Sequence, residues 1–173
     1  MTRASTRKTP SSHRSIELHA LPGHSIRRLQ QIAVAIFMQE SGISGVTPVQ
    51  FAVLQTLADQ SGIDQRTLAR LVSFDTSTIG GVVDRLEARG LLTRSNSSED
   101  RRVRLLHLTP DGEALLASLT PSMQRTQERI VEPLSATERK DFMRMMQLVI
   151  AHHDEPGRTD ADGSSREGAL PSH

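Results

Sequence analysis

Apolar residues recur at helical spacing through most of the chain, and the breaks between the runs mark its elements. From Gly23 to Glu40, residues Ile26, Leu29, Ile32, Ala33, Ile36 and Phe37 fall on one side of a helix. Val34, Ala35 and Met38 widen that stripe to most of the circumference. A helix apolar nearly all round needs more than one neighbour, and a second subunit is expected to supply one. Thr47-Pro48-Val49-Gln50 opens a short helix, with Thr47 as cap, Pro48 at the first position and Gln50 completing a capping box. Phe51, Val53, Leu54 and Leu57 form its inner face, and it ends near Asp59-Gln60-Ser61-Gly62. Asp64 then caps a helix whose stripe is Leu68, Leu71 and Val72. After a connection of Ser73, Phe74 and Asp75, Asp75 caps another helix with Ile79, Val82, Val83 and Leu86 inward. Thr76, Ser77, Gly80, Gly81, Asp84 and Arg85 are left facing out. Gly90 stands where a left-handed residue stops a helix.

Two helices joined by a three-residue turn have the helix-turn-helix geometry, and the second is of a size to enter a DNA major groove. The segment after Gly90 decides between a DNA reader and an ordinary helix pair. Leu91 to Arg94 and Val103 to Leu108 read as two strands around the polar loop Ser95-Asn96-Ser97-Ser98-Glu99-Asp100. Arg101, Arg102 and Arg104 crowd the far side of that loop. By itself such a run is an ordinary solvated hairpin. Beside this helix pair it is a wing, and arginine suits a narrow minor groove because its planar, weakly hydrated cation tolerates desolvation there. His107, at an alternate position on a wing strand, is expected to face solvent.

Thr109-Pro110-Asp111-Gly112-Glu113 begins a further helix by a cap-then-proline device, continued by Leu115, Leu116, Leu119, Met123, Ile130 and Val131. Pro121 inside it should produce a kink, and Pro133 closes the element. Ser135-Ala136-Thr137-Glu138 is a second capping box, opening a last helix through Phe142, Met145, Met146, Leu148, Val149 and Ile150. These terminal helices carry more apolar surface than one small domain can cover, which implies a homodimer. The fold class is thus mainly α with a small β-hairpin wing: a winged helix-turn-helix in an intertwined dimer.

Composition narrows the function. The 173 residues carry a net charge of only +1, so local clustering of arginine, rather than global charge, argues for nucleic acid. The absence of cysteine removes disulfides, thiolate metal sites and cysteine nucleophiles together. With no Trp or Tyr and only four Phe, the stacking platforms that bind single strands are missing, which favours duplex DNA. No apolar run approaches the roughly 18 residues of a membrane span, and no apolar stretch succeeds the basic N-terminus as in a secretory signal. A cytoplasmic, nucleoid-associated location is expected. Glu99-Asp100 lie on a loop tip among arginines rather than as paired acid and base, and the histidines have no ligand spacing with carboxylates. Neither a phosphate loop nor a Ser/His/Asp pattern appears. No catalytic residue, metal or cofactor is expected.

The stretches Asp100-Arg101-Arg102-Val103-Arg104-Leu105-Leu106-His107-Leu108-Thr109 and Val82 to Arg94 resemble the wing signature and the recognition helix of the MarR family of regulators. The likeness extends from about Gly23 to His152. It implies duplex-DNA binding by a homodimer on a pseudo-palindromic site, with Asp75, Thr76, Ser77, Thr78, Gly80, Gly81 and Arg85 in the major groove and Arg101, Arg102 and Arg104 at the wing. It also assigns Asp100 to an ion pair, for which Arg85 is the expected partner, bracing the wing on the recognition helix. Gly80-Gly81 depart from the family, many of whose members have a threonine and a basic residue there. The departure implies either close backbone approach to DNA or fewer base-edge contacts, and both stay open.

Within the family the chain looks most like regulators of nicotinate breakdown, which implies a small aromatic carboxylate such as 6-hydroxynicotinate as the effector that releases a repressor. His24, Arg27 and Arg28, near Phe51, are the candidate site: cations for the carboxylate and an apolar wall for the ring. Plain surface charge is the other reading of those three residues. The expected organisation is a basic arm over 1–15, a MarR-type domain over 16–153 and a polar tail over 154–173. Helices at about 16–40 and 110–153 would dimerise, flanking a winged helix-turn-helix at about 47–109. A protein-docking module built on the same fold is the alternative function.

Overall fold

The computed structural model describes residues 17–154. The arm expected over 1–15 and all but the first residue of the tail expected over 154–173 lie outside them. Contacts divide the chain into one unit ending at Ile130 and a second beginning at Val131.

In the first unit a short 3-10 turn, Leu18–Ala20, precedes α1, Pro22–Ser41. A second 3-10 turn, Gly42–Ser44, leads to α2, Pro48–Asp59. The capping box before α2 is complete: Gln50 N donates to Thr47 Oγ1 at 3.3 Å and Thr47 N to Gln50 Oε1 at 3.0 Å. A cap of this kind stabilises a helix by about 1 kcal/mol, and here it explains why Gln50 is a buried polar residue.

Next come β1, Ile63–Asp64, then α3, Gln65–Leu71, and α4, Thr76–Ala88. Asp64 caps α3 by accepting from Thr67 N at 2.9 Å. Ser73 in the connection adopts φ +57°, the left-handed region, and reverses the chain tightly enough for α4 to cross α3. Gly90 (φ +72°) ends α4 as its position suggested. The expected hairpin is β2, Leu92–Asn96, against β3, Arg104–Leu108, with Leu92 opposite Leu108 and Asn96 opposite Arg104. It is one side of a three-stranded antiparallel sheet ordered β1-β3-β2, in which Ile63 and Asp64 pair with Leu106 and Leu105. The two-residue β1 is an addition to the predicted wing.

The next helix, α5, runs unbroken over Pro110–Ile130 with Pro121 inside it. Its first turn comes so close to the preceding chain that a Cβ on Gly112 would stand 2.0 Å from the Leu91 carbonyl oxygen. Glycine is therefore required there for steric reasons.

The core of this unit is built from the inward faces the periodicity marks: Val53, Leu54 and Leu57 of α2, Leu68 of α3, and Ile79, Val82, Val83 and Leu86 of α4, closed by Leu92, Leu106 and Leu116. Each fully buried leucine or isoleucine contributes about 1.5–3 kcal/mol relative to exposure. Leu71, expected inward, is 38% exposed because α3 ends there. Glu40 of α1 accepts from Arg125 at 2.9 Å and Arg129 at 2.7 Å, tying α1 to α5.

The second unit holds α6, Ala136–Asp154. Its capping box is formed, Ser135 N donating to Glu138 Oε2 at 2.8 Å. None of its residues is buried, and Leu148, Val149 and Ile150 are more than half exposed.

Candidate nucleic-acid interface

Asp75 organises the start of α4. Its carboxylate accepts from Thr78 N at 2.7 Å, Thr78 Oγ1 at 2.6 Å and Ser77 Oγ at 2.5 Å. The Ser77 hydroxyl, and after it Thr78, holds that carboxyl far below the usual range. The hydroxyl protons of Ser77 and Thr78 are thereby committed to Asp75, so these two oxygens turn lone pairs, not donors, outward. Thr76, Ser77, Thr78, Asp84 and Arg85 are all exposed.

Gly80 and Gly81 are half-buried, and each is covered by another side chain. A Cβ on Gly81 would lie 3.5 Å from Arg85 Nη1, so Arg85 folds back along the helix over it. The equivalent atom on Gly80 would lie 3.1 Å from Gln65 Nε2, an amide that donates to Thr76 O at 3.1 Å.

The wing differs from expectation in two respects. The Asp100–Arg85 pair is not formed. Asp100 shapes its own loop instead, its Oδ1 accepting from Arg102 N and its carbonyl from Val103 N, both at 2.9 Å. Ser97 helps, its hydroxyl accepting from Glu99 N at 3.2 Å. An acid one residue before the arginine pair caps the turn more cheaply than it could reach α4. The brace between wing and recognition helix is Arg94 of β2, which pairs with Asp84 at 2.6 Å and with Glu87. Asp84 and Glu87 are three apart on one helix face, and a cation just beyond a short turn was the available signal. His107, expected in solvent, is half-buried: its ring nitrogens meet Ser61 Oγ at 3.1 Å and Ser95 Oγ at 2.9 Å, linking β3 to β2 and to the turn before β1. The guanidinium groups of Arg101, Arg102 and Arg104, all three exposed residues, have no hydrogen-bond or ion-pair partner among the described residues.

At its far end α4 is held by Arg89, which donates to the carbonyls of Gly45 at 3.2 Å and Ser44 at 3.1 Å. Nothing in the apolar pattern pointed to this strut. With Arg94 it fixes the recognition helix to both the wing and the α1–α2 connection.

A crevice of about 540 Å³ opens between α1, α2, α5 and the end of α3. Phe37 and Phe51 meet edge to face across it, centroids 6.2 Å apart. Gln30, Gln55, Thr56 and Gln127 supply polar groups, and Leu71, Val72 and Ser73 bring the helix-turn-helix connection into its wall. Phe51 lines this crevice. His24, Arg27 and Arg28 are elsewhere: with Gln31, Ile32 and Ala35 they line a separate recess of about 400 Å³ on another face of α1. The structure does not bring them together with Phe51 within one chain. Helical periodicity gives the reason, since 30, 33, 34 and 37 form one face and 24, 28, 31 and 35 another.

A helix pair, a capped second helix with polar groups outward and an arginine-tipped hairpin braced against it define a winged helix-turn-helix protein built to meet duplex nucleic acid. The chain belongs to the MarR family, whose model matches residues 46–103. It is 33% identical over 135 residues to the HTH-type transcriptional repressor NicR of Pseudomonas putida, covering 78% of this chain and 85% of that one. Among solved structures it is similar to the PcaV regulator of Streptomyces coelicolor with its natural ligand, at a TM-score of 0.75 and 34% identity over 81% of this chain and 99% of the other. It is also similar to Bordetella bronchiseptica BpsR, described as regulated in its DNA binding by 6-hydroxynicotinic acid. That match has a TM-score of 0.69 and 35% identity, over 73% of this chain and 96% of BpsR. The protein is thus a transcriptional regulator of a family of non-enzymatic DNA-binding proteins. Among the described residues no helix is long and apolar enough to cross a membrane.

Proposed function

We propose that this chain is a homodimeric repressor of transcription that a small aromatic carboxylate releases from a pseudo-palindromic operator. The observation that carries the reading is the crevice: Val72 and Ser73 of the helix-turn-helix connection share its wall with Phe37 and Phe51. A ring seated there presses on the segment that aims α4. An effector acts only through different affinities for two states, and a wall shared with the DNA-reading element supplies that difference. PcaV, solved with its natural ligand, and BpsR, whose DNA binding is regulated by 6-hydroxynicotinic acid, support the same reading.

In this reading the helices over about 16–40 and 110–153 form the dimer, and the winged body over 47–109 meets DNA. Two recognition helices enter successive major grooves about 34 Å apart. Thr76 and Arg85 meet phosphates or base edges, Ser77 and Thr78 accept from amino groups on base edges, and Arg102, with Arg101 or Arg104, enters the flanking minor groove. The ring of the effector, 6-hydroxynicotinate or a close analogue, takes the crevice. Its carboxylate is met by His24, Arg27 and Arg28 of a second copy, because one chain keeps those cations in a separate recess. Such a regulator works at the nucleoid, in the cytoplasm.

Gel-shift binding to the DNA upstream of the protein's own gene, titrated with 6-hydroxynicotinate and other aromatic acids, tests this. Specific retardation reversed by one of the acids is expected. Retardation that no acid reverses removes the effector and leaves the repressor. Binding to every duplex alike, or to none, contradicts operator recognition and favours a winged body that docks an acidic protein partner.

A further inference from the structure

The glycines at 80 and 81 deprive the outward side of α4 of two side chains, and the gap at Gly80 is filled from a different helix. Gln65 is the first residue of α3, and its Nε2 stands 3.1 Å from where a Cβ on Gly80 would be, inside ordinary van der Waals contact. A Cβ at 80 would push the amide outward by a few tenths of an ångström. One amide N–H donates to the carbonyl of Thr76, the first residue of α4, at 3.1 Å. The other N–H and the carbonyl oxygen have no partner among the described residues. Holding the two helices together would use only the first of these groups.

A free donor beside a free acceptor matches one major-groove edge. Adenine offers the N7 acceptor and the N6 amino donor, whereas guanine offers two acceptors, thymine a single acceptor and cytosine a single donor. We infer that Gln65, although it lies outside the recognition helix, reads a base, and that glycine at 80 admits its amide to the groove-facing side of α4. Its preferred partner is the adenine of an A·T pair beneath the first turn of α4. The inference rests on the DNA-binding function proposed above and adds a specificity-determining residue to it.

The test is selection of bound duplexes from a randomised pool by the full chain and by its Gln65→Ala, Gln65→Glu and Gly80→Ala variants. Affinity for an unrelated duplex and the thermal midpoint are measured alongside. The wild type should enrich adenine at one position of each half-site by about tenfold or more, the discrimination of a bidentate amide–adenine pair. Gln65→Ala should lose that preference alone. Gly80→Ala should weaken it, by shifting the amide while Gln65 is still present. Gln65→Glu, left with acceptors only, should move the preference to cytosine, whose amino group donates. Affinity for the unrelated duplex should not change with Gln65→Ala. If all three variants enrich the wild-type motif, Gln65 reads nothing. If Gln65→Ala weakens every position and the unrelated duplex together, Gln65 only positions α4. Either result overturns the assignment and leaves the operator-binding function standing. A wild type that enriches no motif overturns both.

Discussion

The winged body and α6 make opposite use of the same kind of residue. In the body, Val53, Leu54, Leu57, Leu68, Ile79, Val82, Val83 and Leu86 are at most 1% exposed. In α6 no residue is buried, and Leu148, Val149 and Ile150 are 60%, 55% and 57% exposed. Burial of each such side chain is worth about 1.5–3 kcal/mol, so the body has realised that gain within one chain and α6 has not. A region of this kind is completed by another surface, and in the proposed dimer that surface is a second copy. The arginine-tipped wing differs from both: its exposed groups are cations, suited to a polyanion rather than to another apolar face.

Three substitutions set that contrast against measurement. The largest effect is expected inside the body. Gly112→Ala drives a Cβ into the Leu91 carbonyl, and neither backbone can yield without shifting the α5 start, so stability in urea should fall by about 3 kcal/mol. A loss under about 1 kcal/mol would show that the body tolerates repacking and is not complete in the sense argued. Ile150→Asp should do the reverse. It should leave unfolding of the body nearly unchanged while weakening self-association at least about tenfold in sedimentation equilibrium, since a charge then replaces an apolar contact. Unaltered association would take α6 out of the interface.

The smallest effect concerns the ion pair between α1 and α5. Hydrogen bonding from Arg125, then Arg129, lowers the Glu40 pKa from its ordinary value of 4.5. Its contribution is therefore complete above the unfolded value and is lost as pH falls through the lower folded one. Glu40→Gln should melt below wild type near neutral pH, with the gap closing as pH falls below the ordinary carboxylate value of 4.5. A gap that persists in acid would assign the loss to packing.

Features written in local chemistry were legible in the sequence. The cap-and-proline starts at Thr47 and Thr109, the box at Ser135, the stop at Gly90 and the inward stripes of α2 and α4 depend on neighbours a few residues apart. Features that depend on the third dimension were not. The strand β1 is two residues long and exists only because β3 lies beside it, so no periodicity announces it. The spacing of Asp84 and Glu87 hinted at a cation beyond the turn, but only the placing of β2 beside α4 sets the Arg94 guanidinium against them. Gly112 passed as part of a helix start, although glycine in a helix costs about 1 kcal/mol and so flags a close approach. Within one chain, the helical period turns His24 and Arg28 away from the Phe37 face, which only a helical wheel of α1 set beside the position of α2 makes plain.

The central claim is that a paired chain sets two recognition helices, each with its wing, one turn of duplex apart. Hydroxyl-radical footprinting on a selected operator, for wild type and Arg102→Ala over a salt series, examines it most directly. Two symmetry-related protected segments about 34 Å apart are predicted, flanked by minor-groove protection that Arg102→Ala removes, with the salt slope lowered by about one unit. A single unpaired footprint, or flanks and slope that the substitution leaves untouched, would contradict the account.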